Sequence, residues 1–481
     1  MDSELQHKWR LAGGDSPDHW TFATIESLLA NSKSIAVGVM YPGEHTRDGI
    51  PLIKVADIKN GLVTGIPEYL ISKDKDFEYR RTKLQGDELL ITLVGNPGDC
   101  VIVTEDMAGW NVARAVAVLR LNEPKLRAWV RYALLSPPAQ HFLSSRFNTT
   151  VQKTLNLKDI RELFLPFPPE RDRAEIASII DTIDNKIAVN RQMNTTLESM
   201  AQTLFKSWFV DFDPVIDKAL AAGNSIPEPL HARAEARKAL GDQRKPLPAA
   251  IQQQFPDRFV FTEEMDWVPA GWEVSTIGEQ VDITGGGTPS TKNPDFWDDG
   301  VHAFCTPKDM SKLDSIVVTH TDRYLTDAGV QKITSGQLPS GVVLMSSRAP
   351  IGYLAISDIP VSVNQGIIAM LPSETYSAMF LLSWAHFNMG QITDRANGST
   401  FMEISKRNFR PIPFLVPNSG ILSAFNQQAK GIYSKLLAVS ENAEEVTKLR
   451  DTLLPKLLSG ELRVPEAEAT VASTLAEESC N

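Results

Sequence analysis

The chain has 481 residues, of which 42% are hydrophobic and 22% are charged, and its formal net charge is −11. This length accommodates roughly two to four domains with cores of their own, and the composition is ordinary for a globular protein. The acidic balance argues against a stand-alone nucleic-acid-binding protein of the usual basic kind, so any phosphate contact would need basic loops or a partner.

The first part of the chain, from about residue 17 to 165, is predicted to form a mixed unit of short strands and one helix. Its strand segments are rich in apolar or β-branched residues and are bounded by Gly, Pro, Asp and Asn. Strands are predicted at 51–58, 88–93, 100–103 and 113–121, a helix at 126–142, and a last strand at 163–166, which is ended by its proline.

A long helix is predicted next, because Pro168 and Pro169 suit a first helical turn. Its apolar positions alternate by three and four residues, as in a coiled coil. These positions are Ile180, Ile183, Ile187, Asn190, Asn194, Leu197, Ala201, Leu204 and Trp208. The two asparagines, together with Arg450 in the second long helix described below, allow two interpretations. They are a frayed or solvent-touching layer and a polar layer that selects the register at a cost in stability.

Residues 214–270 are predicted to be a linker with a short basic helix at 232–240, flanked by prolines. After it, the first part of the chain recurs about 250 positions later. Residues 19–25 return at 271–277, residues 50–58 return at 301–310, and residues 146–150 return at 395–399. A constant offset over this length indicates a duplicated unit rather than chance similarity.

The second copy also ends in a helix whose apolar positions repeat the spacing of the first helix. They are Ala429, Ile432, Leu436, Val439, Ala443, Val446, Arg450, Leu453 and Leu457. The residues from 464 to 481 are rich in Ala, Glu, Ser and Thr, and this composition favours a disordered tail.

The predicted fold class is α+β, with two mixed α/β domains in a pseudo-two-fold arrangement. A two-fold axis that crosses two paired helices requires them to run antiparallel. Helices of this length would span about 45 Å and hold the two domains apart. The predicted boundaries are 1–165 and 271–418 for the domains, 166–213 and 419–463 for the helices, 214–270 for the linker and 464–481 for the tail.

The sequence lacks the motifs of several enzyme classes. The glycine-rich residues 284–289 do not end in Gly-Lys-Ser/Thr, and the prolines at 137 and 138 lack the aromatic residue of an amino-methyltransferase motif. The eight histidines form no HExxH motif, and the residues after Asp257 lack the lysine of a metal-dependent nuclease. Asp211 and Asp213 are more simply a helix-end element than an acid and base.

The compartment is predicted from what the sequence lacks. No apolar run reaches the roughly 20 residues that cross a bilayer, and the amino terminus shows no secretory signal. Cys100, Cys305 and Cys480 are far apart and odd in number, which supports neither a disulfide framework nor a zinc site. The expectation is a cytoplasmic protein without a bound metal.

Several segments, in their order along the chain, are similar to one family. They are Gly49-Ile50-Pro51-Leu52-Ile53-Lys54-Val55-Ala56-Asp57-Ile58, Gly86-Asp87-Glu88-Leu89-Leu90-Ile91, Leu165-Pro166-Phe167-Pro168-Pro169, the segment 204–212, Gln254-Phe255-Pro256-Asp257-Arg258-Phe259, Val268-Pro269-Ala270-Gly271-Trp272, and Leu453-Leu454-Pro455-Lys456-Leu457-Leu458-Ser459-Gly460-Glu461-Leu462. Together they resemble the specificity (S) subunit of type I restriction–modification systems, from about residue 17 to 463. The turn at 94–98 departs from the family pattern, whereas the turn at 348–352 fits it.

The resemblance implies two target recognition domains, each of which reads one half of a bipartite double-stranded DNA site, with the long helices setting the spacer. It implies two methyltransferase (M) subunits as partners, and it allows restriction (R) subunits to join. No catalytic residue and no cofactor are expected in this chain, since S-adenosylmethionine, ATP and Mg are expected only in the partner subunits. No membrane partner is expected.

Candidate DNA-binding residues are polar residues in loops that occur at equivalent places in the two copies, because Arg, Lys, Asn, Gln, Ser and Thr can contact base edges. In the first copy they are Lys54, Asn96, Arg146, Asn148, Thr149, Thr150, Gln152 and Lys153. In the second copy they are Lys308, Ser347, Arg348, Asn364, Gln365, Arg395, Asn397, Ser399 and Thr400. The simpler alternative is that these are ordinary turn and cap residues.

A cluster of apolar residues at the end of the first long helix is a candidate docking surface for the methyltransferase, since exposed aromatic clusters often mark interfaces. Its members are Trp208, Phe209, Val210 and Phe212. The alternative for this cluster is packing in a core.

Three functions remain open at this stage. The leading one is a non-catalytic subunit that recognises a DNA sequence. The alternatives are a coiled-coil scaffold that binds DNA without regard to sequence and an enzyme that modifies DNA alone.

Overall fold

Two long helices run through the structure, and each is shared between two folding units. The computed structural model describes residues 2–59, 61–63, 65–147, 153–244, 247–398 and 402–477. One unit comprises Met1–Ile187 and Glu445–Asn481, and the other comprises Ala188–Glu444. Both chain ends therefore belong to the first unit, whereas the second unit is one continuous stretch.

The first unit begins with the elements of the first copy. Its strands are β1 Thr21–Thr24, β2 Ile35–Val37, β3 Ile50–Ile53, β4 Ile58–Lys59, β5 Leu62–Val63, β6 Leu70–Ile71, β7 Leu89–Thr92, β8 Cys100–Ile102, β9 Asn111–Val112, β10 Val116–Leu119 and β11 Phe164–Phe167. Its helices are α1 Asp2–Leu11, α2 Ile25–Leu28, α3 Lys73–Glu78, α4 Arg127–Leu135, α5 Pro137–Ser145, α6 Leu157–Arg161 and the start of α7 Glu170–Phe209. The region from β1 to β11 is called the first repeat domain below.

The remaining elements belong mainly to the second unit. Its strands are β12 Phe259–Thr262, β13 Asp266–Pro269, β14 Glu273–Thr276, β15 Asp282–Gly285, β16 His302–Cys305, β17 Val317–Val318, β18 Arg323–Leu325, β19 Val343–Ser347, β20 Ile351–Ser357, β21 Val361–Val363, β22 Ile367–Leu371 and β23 Pro413–Val416. Its helices are α8 Asp213–Ala222, α9 His231–Ala239, α10 Ala249–Gln252, α11 Ile277–Gln280, α12 Pro307–Met310, α13 Asp327–Val330, α14 Ala378–Phe387, α15 Met389–Asp394, α16 Lys406–Phe409 and α17 Ser419–Ser459. The region from β14 to β23 is called the second repeat domain, and α18 Val464–Glu477 returns to the first unit.

The two repeat domains have the same strand topology, which confirms the duplication. The antiparallel pair β1–β11 corresponds to β14–β23, and the order β2–β10–β7–β8 corresponds to β15–β22–β19–β20, to which β17 is added. A smaller sheet β6–β3–β9 corresponds to β18–β16–β21, and each contains one parallel pair, β3 with β9 and β16 with β21. The α+β class predicted from the sequence is confirmed.

Each main sheet is buried on both faces, which explains its continuous apolar strands. In β7, Leu89 and Ile91 pack with Trp129 of α4, whereas Leu90 points to the opposite face and packs with Ile53 and Val118. Successive side chains of a strand alternate between faces. The helix α4 therefore covers one face, and the smaller sheet covers the other.

The two long helices pack on one another within each unit. In the first unit, Ile180 and Ile183 of α7 share a core with Val446 and Leu453 of α17. In the second unit, Asn190 Nδ2 donates to Asn442 Oδ1 at 2.6 Å, and Asn194 Nδ2 donates to Ser440 Oγ at 3.0 Å. Residue numbers rise along α7 while those of its partners fall along α17, so these stretches are antiparallel.

The seam asparagines are not frayed. Asn190 and Asn194 are only 3% and 2% exposed, and each donates a hydrogen bond across the seam. The interpretation as a solvent-touching layer is therefore wrong for both residues. A buried polar pair is satisfied only when its partners face each other, and losing one partner costs about 1–3 kcal/mol. Selection of the helix register remains the prediction for this layer.

The prediction of a disordered tail at 464–481 is wrong for residues 464–477, and residues 478–481 lie outside the described residues. Residues 464–477 form the helix α18, and its Ala467 and Val471 are buried in the core of the first unit. The small apolar residues recur every three or four positions and give the helix an apolar face. Composition alone concealed this periodicity.

The linker between the copies contains more ordered structure than the short basic helix that the sequence predicts. Besides α9, it holds α8 and the hairpin β12–β13. Arg233 Nε and Nη2 each lie 2.7 Å from an oxygen of Asp213, which also accepts from Ser207 Oγ at 2.8 Å. Burial alone would raise the pKa of Asp213, but the bonds from Arg233 and Ser207 lower it overall. This ion pair joins α8 to α9.

Candidate nucleic-acid interface

In both repeat domains, a loop begins directly after a glycine at an equivalent position at the end of a main-sheet strand. A Cβ atom on Gly38 would lie 2.0 Å from the Val112 carbonyl oxygen, and one on Gly286 would lie 1.6 Å from that of Val363. No larger residue fits such an approach. The loops that follow, at 39–49 and 287–301, therefore leave the two sheets at the same place.

In the second repeat domain, this loop meets the turn that joins β21 to β22. Thr288 Oγ1 donates to Gln365 Oε1 at 2.7 Å, and the Gly366 amide donates to Asn364 Oδ1 at 2.9 Å. The side chain of Gln365 is exposed. Because its oxygen is held by Thr288, the amide nitrogen remains available as a donor to a ligand.

Three further segments converge on the same turn. A Cβ atom on Gly366 would lie 3.3 Å from Arg348 Nε and 3.2 Å from Cγ of Pro307, the residue before Lys308. Arg348 and Asn397 each form an isolated β-bridge with Glu403. This edge of the second repeat domain, which we call the convergent edge, therefore contains five of the predicted residues: Lys308, Arg348, Asn364, Gln365 and Asn397.

The convergent edge contains the cationic side chains of Lys308 and Arg348, and Lys406 lies beside it. Lys308 is exposed, and Arg348 is partly exposed with its Nη1 3.7 Å from Glu403 Oε2. A Cβ atom on Gly285 would lie 3.3 Å from the Nζ atom of exposed Lys406. Sequence reasoning missed Lys406 and Thr288. The glycine pair that begins the equivalent loops is the signal that could have indicated Thr288.

One predicted residue of the second copy is buried, and another is held by hydrogen bonds within its own domain. Ser347 is 2% exposed, because it is the last residue of β19, whose side chains are covered on both faces. It cannot reach a base edge, and the prediction is wrong for this residue. Arg395 lies after α15, where its Nη1 donates to Gln391 Oε1 at 3.1 Å and its carbonyl accepts from Asn408.

The first repeat domain has an equivalent edge that carries different side chains. The bridge Val94–Thr154 and the bond from the Leu155 amide to the Leu93 carbonyl match Arg348–Glu403 and the bond from Ile404 to Ser347. Asn96 is exposed on the turn next to this bridge. The two copies thus share the backbone frame of the edge and differ in its side chains.

The other predicted residues of the first copy lie in varied environments. Lys54 Nζ lies 3.4 Å from the centre of the Tyr69 ring, and Lys153 is exposed. Arg146 Nη1 donates to the Asp159 carbonyl of α6 at 2.7 Å. The predicted residues Asn148, Thr149, Thr150, Gln152, Ser399 and Thr400 lie outside the described residues.

The aromatic cluster at the end of α7 is part of a core. Trp208, Phe209 and Phe212 are 2%, 8% and 9% exposed, and Trp208 packs edge-on against Phe255 at 5.2 Å between ring centres. The prediction that these three residues form a docking surface is wrong, because the linker returns over the helix end and covers them. Only Val210 of the four is exposed.

Comparison with known proteins identifies the class. The type I restriction modification DNA specificity domain matches residues 41–199 and 269–445. The two matches cover most of both copies and the larger part of the long helix that follows each, so the chain belongs to this family. It is a DNA specificity subunit of a type I restriction–modification system.

Individual relatives have the same description. The chain is 29% identical over 418 residues to the HindI specificity subunit of Haemophilus influenzae, covering 81% of this chain and 89% of that one. It is 33% identical over 187 residues to the EcoBI specificity subunit of Escherichia coli, covering 38% of each. A crystal structure of the S subunit from M. genitalium is 15% identical, covers 91% of this chain and 96% of that one, and gives a TM-score of 0.48.

Membership in this family assigns the chain a place in a multi-subunit complex. The specificity subunit recognises DNA, and the catalytic activity resides in other subunits. Within the described residues, no helix is both long and apolar enough to cross a membrane.

Proposed function

We propose that each repeat domain reads one half of a bipartite duplex site and that the paired helices set the length of the spacer. The observation that carries this proposal is the pair of equivalent edges, which have one backbone frame and different side chains. Two copies of one frame suit two similarly shaped targets, and different side chains suit different bases. The domain boundaries proposed for this role remain 1–165 and 271–418.

We further propose that two methyltransferase subunits supply the chemistry, with S-adenosylmethionine bound there, and that restriction subunits, with ATP and Mg, can join them. The duplication within the chain supports two copies of one partner. A complex of this kind would act in the cytoplasm on double-stranded DNA. Val210 alone remains as a docking candidate from the aromatic cluster.

The experiment that tests the proposal is a map of methylated sites in a host that expresses this chain with its methyltransferase. Two short motifs at one fixed spacing are expected. Modification without a sequence preference would favour the scaffold, whose binding depends on salt and not on sequence. Methyl transfer by the isolated chain with S-adenosylmethionine would instead identify an enzyme that acts alone.

Among the residues of the convergent edge, Gln365 is the strongest candidate for reading a base. A glutamine can bond bidentately to adenine, and its nitrogen must donate while its oxygen accepts. Thr288 occupies one lone pair of Gln365 Oε1 and fixes the direction of the amide. The remaining lone pair and the Nε2 group are free to make the adenine pair.

Replacing Gln365 with alanine should weaken binding of the complex to its preferred duplex by about tenfold and relax the preference at one base pair, since a bidentate contact contributes about 1–3 kcal/mol of discrimination. Binding is measured against duplexes in which each base pair of the second half-site is changed in turn. The matched control is Gln337→Ala, an exposed glutamine whose side chain bonds to the Pro360 carbonyl elsewhere in the domain. An unchanged base preference in Gln365→Ala would exclude Gln365 as a reading residue.

A further inference from the structure

In the second unit, a short segment of the repeat domain lies against both long helices. Arg191 of α7 donates from Nη2 and Nε to Asp314 Oδ2, at 2.7 and 3.1 Å. Asp314 lies between α12 and β17, on the segment that leads into the main sheet. This forked contact fixes direction as well as distance, because both donors are held in the plane of the guanidinium group.

The next residues of the same segment extend the contact to α17. Asn194 Nδ2 donates to Ser440 Oγ, and Ser440 Oγ donates to Ser315 Oγ, both at 3.0 Å. Glu198 Oε1 accepts from the Ile316 amide at 3.2 Å, and burial raises the pKa of this carboxyl. We call Arg191, Asn194, Glu198, Asp314, Ser315 and Ser440 the second clasp.

The first unit has a polar contact between its repeat domain and the same two helices, built from other residues. Arg131 of α4 donates from Nη1 to Asp184 Oδ2 at 2.6 Å and from Nε to the Cys100 carbonyl. Arg450 of α17 lies 3.3 Å from Asp184 Oδ1. The Tyr132 hydroxyl donates to Asp181 Oδ1 at 2.5 Å. Arg131, Tyr132, Asp181, Asp184 and Arg450 form the first clasp.

These polar contacts restrict the orientation of each domain more than apolar packing does. Apolar burial is non-directional and depends mainly on the area removed from water. Hydrogen bonds and forked ion pairs weaken steeply when their geometry changes. Each clasp joins one repeat domain to α7 and α17 within its own unit, and therefore fixes the angle at which that domain leaves the helices.

We propose that the two clasps are positioning elements that narrow the range of spacer lengths accepted by the complex. This inference rests on the proposed function, in which each domain reads one half-site and the helices set the spacer. A domain that can tilt reaches half-sites slightly nearer or farther. A domain that is held by its clasp accepts one spacing.

The test uses the complete complex with Arg191→Ala or Asp314→Ala, and maps methylated sites in the host as for the wild type. The half-site motifs should remain unchanged. The preference for the wild-type spacer over spacers that are one base pair longer or shorter should fall by about fivefold, as expected from losing a partly exposed ion pair. The exchanged pair Arg191→Asp with Asp314→Arg should recover most of the preference.

Two controls separate positioning from stability. Arg171→Ala removes an exposed ion pair with Glu175 on the same helix and should leave the spacer preference as in the wild type. Ser315→Ala removes the hydroxyl that accepts from Ser440 Oγ and from the Val317 amide, and it should relax the spacer without removing a charge. The melting temperature of each variant complex is measured alongside, so that loss of stability is separated from loss of spacer preference.

The outcomes of this test are distinguishable. Wild-type spacer preference in Arg191→Ala, Asp314→Ala and Ser315→Ala, or a changed half-site motif, would overturn the role of the clasp. A wild-type complex that shows no fixed spacing at all would instead overturn the proposed function on which the inference rests.

Discussion

Inserting seven residues into both long helices should abolish modification at the wild-type site and create modification at sites with the same half-sites and a longer spacer. The insertions are placed after Ala188 in α7 and before Glu445 in α17, at the same level of the antiparallel seam. Seven residues lengthen a helix by about 10 Å. Because each base pair adds about 3.4 Å, the spacer should grow by about three base pairs.

Seven is the appropriate number because it preserves the seam. The apolar positions of α7 and α17 alternate by three and four residues, so a seven-residue insertion returns every later side chain to the partner-facing stripe. The buried pairs Asn190–Asn442 and Asn194–Ser440 therefore remain aligned. Methylated sites in the host report the spacer directly.

The informative control is the same insertion in α7 alone. It displaces Asn190 and Asn194 from their partners on α17 and leaves buried polar groups unpaired, so this variant should lose modification at every spacer. If the double insertion modified only the wild-type spacer, the helices would not set that distance.

The repeated architecture was predictable because its signals are local and occur twice. The offset of 252 that aligns residues 19–25 with 271–277 also aligns β1 with β14. The same offset aligns Lys54 and Asp57 with Thr306 and Asp309, and each pair closes the first turn after its strand by the same bond from a backbone amide to the aspartate. Helix periodicity similarly identified α7 and α17.

The predictions from the sequence were wrong where contacts between distant residues determine whether a side chain is buried. Trp208, Phe209 and Phe212 occur at a helix end, where an exposed surface and a core have the same sequence pattern. Their burial depends on Phe255 and Phe425, which are distant in the sequence. The sequence predicts a loop position for Ser347, but β19 continues through it.

The candidate site was only partly predictable for a related reason. Lys308, Arg348 and Gln365 occur in three separate segments, and the duplication could place each at an equivalent turn. The pairing of strands β19 and β22 brings these turns together at Gly366. The bond from Thr288 to Gln365 spans 77 positions and has no local signal.

Replacing Arg233 with alanine should destabilise the α8–α9 region by about 2 kcal/mol, because Asp213 loses two hydrogen bonds from a charged group while Arg237 Nη1 remains 3.9 Å away. The carboxylate of Asp213 is only 4% exposed and would keep a hydrogen bond from Ser207 but lose both bonds from Arg233. The free energy of local opening is measured by native-state hydrogen exchange of amides in α8 and α9. Arg258→Ala, which removes an exposed pair with Asp257, should cost less than about 1 kcal/mol.

The double variant Asp213→Asn with Arg233→Ala should recover much of the loss, because it leaves no unpaired buried charge. The pH dependence distinguishes this cause from a packing defect. The folded pKa of Asp213 lies below its usual value of about 3.9. The stabilisation is therefore complete above that value and is lost as the pH falls through the folded pKa. The difference between wild type and Arg233→Ala should shrink in strong acid, whereas a difference that stayed constant with pH would assign the loss to packing of the arginine stem against α8.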